Sequence, residues 1–313
     1  MSLAIYTHTA CLQHDPGPGH PESPARLAAV LDALRASSLA LTWHDAPLAT
    51  LAQVQRAHSP ALLNALMRLR HTAHRVALDP DTQVSTQSVD AALRAAGAGV
   101  AALGDVLSGK TQRAFCAVRP PGHHATRDVS MGFCLLNSIA VSAYCALDAG
   151  LERVAIVDFD VHHGNGTEDI FQADPRVLYI SLHQFPLYPG TGQARAEGAG
   201  NIVNVEIPPG TRSNDYRARF SASVLPALEY FAPQLLLLSS GFDAHQLDPL
   251  AGLNLTDEDF AWITTELVAV ANRHAQGRVV SMLEGGYSLS ALRSCVLEHA
   301  AALLQNEWVD QRR

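Results

Sequence analysis

Residues 153–167, RVAIVDFDVHHGNGT, join an apolar run to two carboxylates and two adjacent histidines. The first half has the short, unbroken apolar character of a buried strand. The second half has no place in a core, because burying an ionised side chain without a partner is costly. Asp158, Asp160 and His162 are spaced by two, so on an extended chain they project to one side. A single aspartate after a strand usually caps a turn. Here His162 follows two residues on, and Asp243 ends another strand candidate. Asp160, His162 and Asp243 therefore read as ligands for a divalent cation with one open position.

The same junction recurs along the chain. LAIYTH (3–8), AFCAV (114–118), VLYISL (177–182), QLLLLSS (234–240) and VVSMLE (279–284) are further strand candidates. Helical spacing is found over 24–37, 59–70, 86–108, 137–149, 167–173, 213–229, 256–276 and 288–305. Ser59 and Pro60 form a cap and first-turn pair. Strands separated by helices predict βαβ units and a mostly parallel sheet covered on both faces. No repeat, low-complexity tract or linker divides the chain, so one domain is expected over 1–313. Five strands are followed at once by polar clusters: RPPGHHA (119–125), DFDVHHGNGT (158–167), SLHQ (181–184), GFDAH (241–245) and EGGY (284–287). Open α/β sheets bind ligands outside the carboxyl ends of their strands, and these clusters share that edge.

The totals narrow the function. A 48% hydrophobic and 17% charged composition over 313 residues is that of a globular chain with a large core. A formal charge of −8 argues against nucleic acid held by bulk electrostatics. Five scattered cysteines without a CxxC pair suggest neither a disulfide framework nor a thiolate metal site. No signal-peptide pattern or ~18-residue apolar run is present, so the expected setting is the cytoplasm, without a membrane.

His123 and His124 follow the stiff Pro120-Pro121-Gly122. Side-by-side imidazoles can divide the work of a site, one moving a proton and the other adjusting charge. Asp158 and Asn165, in the facing loop, are candidate acceptors that orient them. Tyr287 stands at a strand end and can offer its hydroxyl to a substrate oxygen.

Taken together, RPPGHHA, GFCLLN (132–137), DFDVHHGNGT, SLHQ, GFDAHQLDPL and LEGGY resemble the zinc-dependent histone deacetylase family. The closer likeness is to its class II branch and the bacterial deacetylase-like amidohydrolases, and it runs from GHPESPARL (19–27) to Tyr287. The resemblance implies an arginase/deacetylase-like three-layer α/β/α sandwich around a mainly parallel eight-stranded sheet. It implies removal of acetyl or other short acyl groups from acylated lysine in a protein or peptide, or from a small acylated amine. Asp160, His162 and Asp243 would hold Zn2+, or Fe2+. His124 would act as general base and then acid, with His123 as its electrostatic partner. Asp158 would orient His123, Asn165 would orient His124, and Tyr287 would stabilise the oxyanion. Gly132, Phe133 and Tyr188 would shape the tunnel, and Asp81 would hold the substrate at the rim. A structural K+ would sit among Asp158, Asp160, His162, Ser181 and Leu182. The family also allows a homo-oligomer.

Three rivals share parts of this pattern. A binuclear manganese ureohydrolase would need further carboxylates where this chain has Gly164 and His245. His245 is read as a loop histidine bonded to solvent. An acetylpolyamine amidohydrolase would place an acid at the rim, where Leu250 stands. A non-catalytic acyl-lysine binding module would not need every catalytic position filled.

Overall fold

The computed structural model describes residues 2–194 and 200–305. Eight parallel strands form the central sheet: β1 (Leu3–Thr7), β2 (Leu41–Asp45), β5 (Arg113–Cys116), β6 (Val154–Asp158), β7 (Val177–Gln184), β8 (Ile202–Ile207), β9 (Leu235–Ser240) and β10 (Val279–Leu283). Between β2 and β5, the short β3 (Val76–Ala77) and β4 (Gln83–Val84) pair antiparallel as a separate ribbon. The spatial order is β2-β1-β5-β10-β9-β6-β7-β8.

The middle strands are buried along their whole length, which is why VAIVD and LLLLSS are continuous apolar runs without alternation. Helices Ser88–Leu107 and Ser138–Asp148 pack together over one side of the sheet. Pro24–Ala36, Asp257–His274 and Leu289–Leu304 pack together over the other, with Ser213–Phe231 against the second of them. The predicted 59–70 helix begins as its caps require, Ser59 Oγ accepting from the Leu62 amide at 3.3 Å with Pro60 in the first turn. Three glycines do not break Ser88–Leu107, and two of them, Gly97 and Gly99, are needed for their smallness. A Cβ on Gly97 would lie 2.0 Å from the Pro47 carbonyl oxygen.

The expected eight-stranded, three-layer architecture is present, with two strands, β2 and β8, that were not among the strand candidates. β2 is an edge strand whose LTWHD side chains are largely exposed, and β8 is half-exposed at the other edge. Among the described residues, no helix is long and apolar enough to cross a membrane.

Candidate active site

Five adjacent strands, β5-β10-β9-β6-β7, carry the five polar clusters at their carboxyl ends. The crossover helices thus bring distant sequence segments to one place. Asp160, His162 and Asp243 converge with their ligand atoms within 4.8 Å of one another, all buried. His162 Nδ1 is 3.1 Å from Asp160 Oδ1 and 3.2 Å from Asp243 Oδ2. Glycines make room for this. A Cβ on Gly285 would stand 2.1 Å from Asp243 Oδ2, and one on Gly241 2.1 Å from Asp160 Oδ2.

A divalent cation fits these donors. Asp243 Oδ2 is buried without a hydrogen-bond donor. Burial, and then the charge of Asp160, push the Asp243 carboxyl up to about 7. Burial opposes a charge on His162, yet the two carboxylates outweigh it and raise the ring to about 10. The protein alone therefore balances this cluster by gathering protons, and an ion held by the two aspartates and the neutral imidazole would replace them.

The histidine pair lies beside this centre, its rings 4.0 Å apart. His123 Nδ1 is 3.0 Å from Asp158 Oδ2, and His124 Nδ1 is 2.8 Å from Asn165 Oδ1. Each acceptor takes the Nδ1 proton, which leaves Nε2 as the free basic atom of a neutral ring. The two environments push the rings apart. Burial would depress His123, but Asp158 and Asp160 outweigh it and hold that ring well above the ordinary value. His124 is pushed well below it by burial and by the neighbouring His123 and His162.

Asp158 has a second partner that sequence reading missed, because a tyrosine inside a strand passes for core. Tyr179 in β7 donates to Asp158 Oδ2 at 3.0 Å and to the Gly164 carbonyl at 3.1 Å. Ser181 is the register partner of Asp158, and Leu182 follows it in the buried β7.

Tyr287 follows β10 and is held by Phe133, Arg26 and Asp248. Its ring lies 5.9 Å from Phe133, edge to face, and the Arg26 guanidinium sits 4.8 Å from its centroid. Asp248 fixes its backbone, accepting from the Tyr287 amide at 2.7 Å, the Ser288 amide at 3.2 Å and the Leu250 amide at 3.0 Å. Tyr188 faces His124 at 5.1 Å and is about perpendicular to it. Asp81 is half-buried, its side chain accepting from Thr82 and its carbonyl from His20 at 3.0 Å. Glu284, unassigned from sequence, accepts from the Gly122 amide at 2.6 Å and the His123 amide at 3.2 Å.

His245 corrects the solvent-bonded expectation. It is buried and stacks toward Phe260, with Nε2 3.3 Å from Asp257 Oδ1. His245, Asp257 and Cys295 form a second grouping of ligand-type atoms. The Leu247 amide donates to His245 Nδ1 at 3.1 Å, which leaves Nε2 facing Asp257. Ser294 and Cys295 donate to the same carboxylate oxygen. This cluster is closed by hydrogen bonds.

Comparison with known proteins agrees with the geometry. Residues 20–303 match the histone deacetylase domain. The chain is 38% identical to a histone deacetylase-like amidohydrolase of Pseudomonas aeruginosa, covering 94% of this chain and 84% of that protein. It is 38% identical to a probable deacetylase of Archaeoglobus fulgidus, over 92% and 82% of the two chains. The crystal structure of the HDA15 HD domain superposes with a TM-score of 0.91 at 34% identity, covering 96% of this chain and 88% of the other. An eight-stranded parallel sheet, this convergence at its carboxyl edge and matches along nearly the whole length have one explanation: the chain belongs to the histone deacetylase family.

Proposed function

We propose that this protein is a zinc-dependent amidohydrolase that removes acetyl or other short acyl groups from acylated lysine side chains. The observation that carries the reading is the pairing of an orphaned, buried carboxylate oxygen on Asp243 with two histidines whose Nδ1 atoms are both committed to acceptors. Asp160, His162 and Asp243 would hold the ion, which when bound supplies Lewis acidity toward a water molecule and an amide carbonyl.

The chain's own residues do the rest. His124, oriented by Asn165, takes the water's proton at Nε2 and later gives it to the leaving amine. His123, charged beside Asp158, adds positive potential where the oxyanion develops. Tyr287 donates its hydroxyl to that oxyanion, and Asp248 holds its backbone in place. Phe133, with Gly132 before it, and Tyr188 flank the acyl chain, with Asp81 and Leu250 at the rim. Asp158, Asp160, His162, Ser181 and Leu182 would surround a structural K+.

A second catalytic metal is disfavoured. A side chain at Gly164 would come within 2.3 Å of Asp158 Oδ2 and the Tyr179 hydroxyl, so no further carboxylate fits there. His245, at the other expected position, is engaged with Asp257.

Acetate release from acetyl-lysine peptides and acetylated polyamines, measured side by side on zinc-loaded protein, tests the reading. Peptide turnover falling by at least ~10²-fold in Tyr287→Phe is the expected result. Preference for polyamines would redirect the substrate class, and no turnover of either with zinc bound would overturn the proposal.

A further inference from the structure

The second histidine of the pair in DFDVHHGNGT has no part in the chemistry above, yet it is buried and fully engaged. His163 Nε2 is 2.8 Å from Glu168 Oε2, and its Nδ1 is 2.8 Å from the Thr191 hydroxyl. A carboxylate only accepts, so Nε2 donates to Glu168, while Nδ1 pairs with the Thr191 hydroxyl. Asn204 in β8 donates to the same Glu168 oxygen at 2.7 Å. His183 lies 4.7 Å from the His163 ring and donates from Nε2 to the Gly192 carbonyl at 2.9 Å, while its Nδ1 accepts from Ser181 at 2.9 Å. Burial, and then the neighbouring His163, lower His183 to about 3, which keeps it neutral, and the Gly192 carbonyl, which only accepts, fixes that tautomer. Gly192 is pressed onto both rings. A Cβ there would lie 2.4 Å from His183 Nε2 and 2.6 Å from the His163 ring.

These contacts seize one end of the segment that carries Tyr188. The other end is held by backbone, the Gln184 amide on the Val161 carbonyl at 2.8 Å and the Phe185 amide on the Ile207 carbonyl at 3.0 Å. Between the two anchors Tyr188 is 37% exposed and stands over His124 at 5.1 Å and His162 at 6.4 Å. Inside the segment, Leu187 packs on the core and the Gly190 amide bonds the Leu187 carbonyl at 2.8 Å, so the ring's distance from the centre depends on how the two ends are fixed.

We propose that His163, set by Glu168 and assisted by His183, is a positioning residue that latches residues 185–192 and so holds Tyr188 at its distance from His124. This deepens the deacylase reading and rests on it for one consequence: the latch sets the width available to the acyl group. Loosening it admits longer acyl chains at the expense of acetyl.

Two variants test this: Thr191→Val, at an exposed position where the core is undisturbed, and His163→Asn. Hydrogen exchange of the amides between 185 and 192 reads the latch without any turnover. Exchange at least ~10-fold faster in both variants, with β6 unchanged, is expected. Unchanged exchange overturns the latch. On zinc-loaded protein with equal metal content, the ratio of kcat/KM for butyryl-lysine over acetyl-lysine peptide should rise by roughly 5-fold or more. Faster exchange with an unchanged ratio overturns the effect on tunnel width. Wild-type protein that hydrolyses neither peptide overturns the deacylase reading and the width consequence together, while exchange still decides the latch.

Discussion

Gly132 and Phe133 carry more of the site than their chemistry suggests. They form the centre of a tight turn closed by the Cys134 amide on the Met131 carbonyl at 2.9 Å, and both have positive φ, 56° and 67°. Positive φ at both central positions is what a tight hairpin turn requires, and it is unfavourable for phenylalanine. Such strain survives at functional sites where the surroundings over-determine it, here the Thr82 hydroxyl accepting from the Phe133 amide at 3.0 Å. Gly132 also gives His124 its place, since a Cβ would lie 2.5 Å from the imidazole Cδ2. If the proposed roles hold, Gly132→Ala should cost ~10-fold or more in kcat with bound metal unchanged, because the proposed base His124 and not the metal cluster is displaced. Steady-state kinetics beside metal analysis checks this, and an unaltered kcat would mean that His124 has room to spare. At this scale the sequence was legible wherever spacing encodes geometry. Asp160 and His162 do meet, although not on extended chain: the backbone bends after β6, and the His162 amide donates to Asp160 Oδ1 at 2.9 Å. Tyr179 and Asp248 were not legible, because nothing local separates a working strand tyrosine or loop aspartate from an ordinary one.

Among the elements, β10 does two jobs at its carboxyl end. Its last residues lead into Gly285, which clears space for the carboxylates, while Glu284 turns back to hold the Gly122–His123 backbone. The other Glu284 oxygen accepts from Ser239 in β9 at 3.0 Å, so one buried carboxyl ties three neighbouring strands together. Burial raises it to about 7. Glu284→Ala would leave two buried amides without an acceptor and should destabilise the fold by about 2–4 kcal/mol. Glu284→Gln still accepts from the amides and can donate to Ser239, so its loss should be under ~1 kcal/mol. Urea unfolding of the two variants separates these outcomes, and equal losses would locate the role of Glu284 in its charge. The central strands were readable from their unbroken apolar runs. β2 was not, because its exposed edge lacks both the apolar run and a clean alternation. β8 was passed over although Val203, Val205 and Ile207 alternate with Asn204 and Glu206.

Across the whole molecule, a buried charge network fastens the layer of helices to the carboxyl edge of the sheet. Glu22 accepts from Arg26 at 3.0 Å and from Arg119, through Nη2 at 2.6 Å and through Nε, and it lies 3.2 Å from His14 Nε2. Arg26 also donates to the Glu284 carbonyl at 2.5 Å and the Gly286 carbonyl at 2.6 Å, and Arg119 to the carbonyls of Cys11 and His14. Glu22 and both arginines are fully buried. GHPESPARL contributed to the family likeness, but its glutamate and arginine gave no local sign that they would meet Arg119 from nearly a hundred residues away. Removing the acid leaves two guanidinium groups uncompensated, so Glu22→Gln should cost about 3–5 kcal/mol at pH 7. The pH dependence has a definite sign. Burial disfavours the Glu22 carboxylate, yet Arg119 and His14 outweigh it and hold its pKa well below 4.5. A folded-state pKa below the unfolded one gives stability that is present above about pH 4.5 and lost as pH falls toward the folded value. The difference in unfolding free energy between wild type and Glu22→Gln should hold constant from pH 7 to 5. It should then narrow by up to ~1.4 kcal/mol per pH unit below 4.5. A gap that stayed constant through pH 3.5 would show that Glu22 does not release its network on protonation, and that the two arginines are held by the surrounding carbonyls.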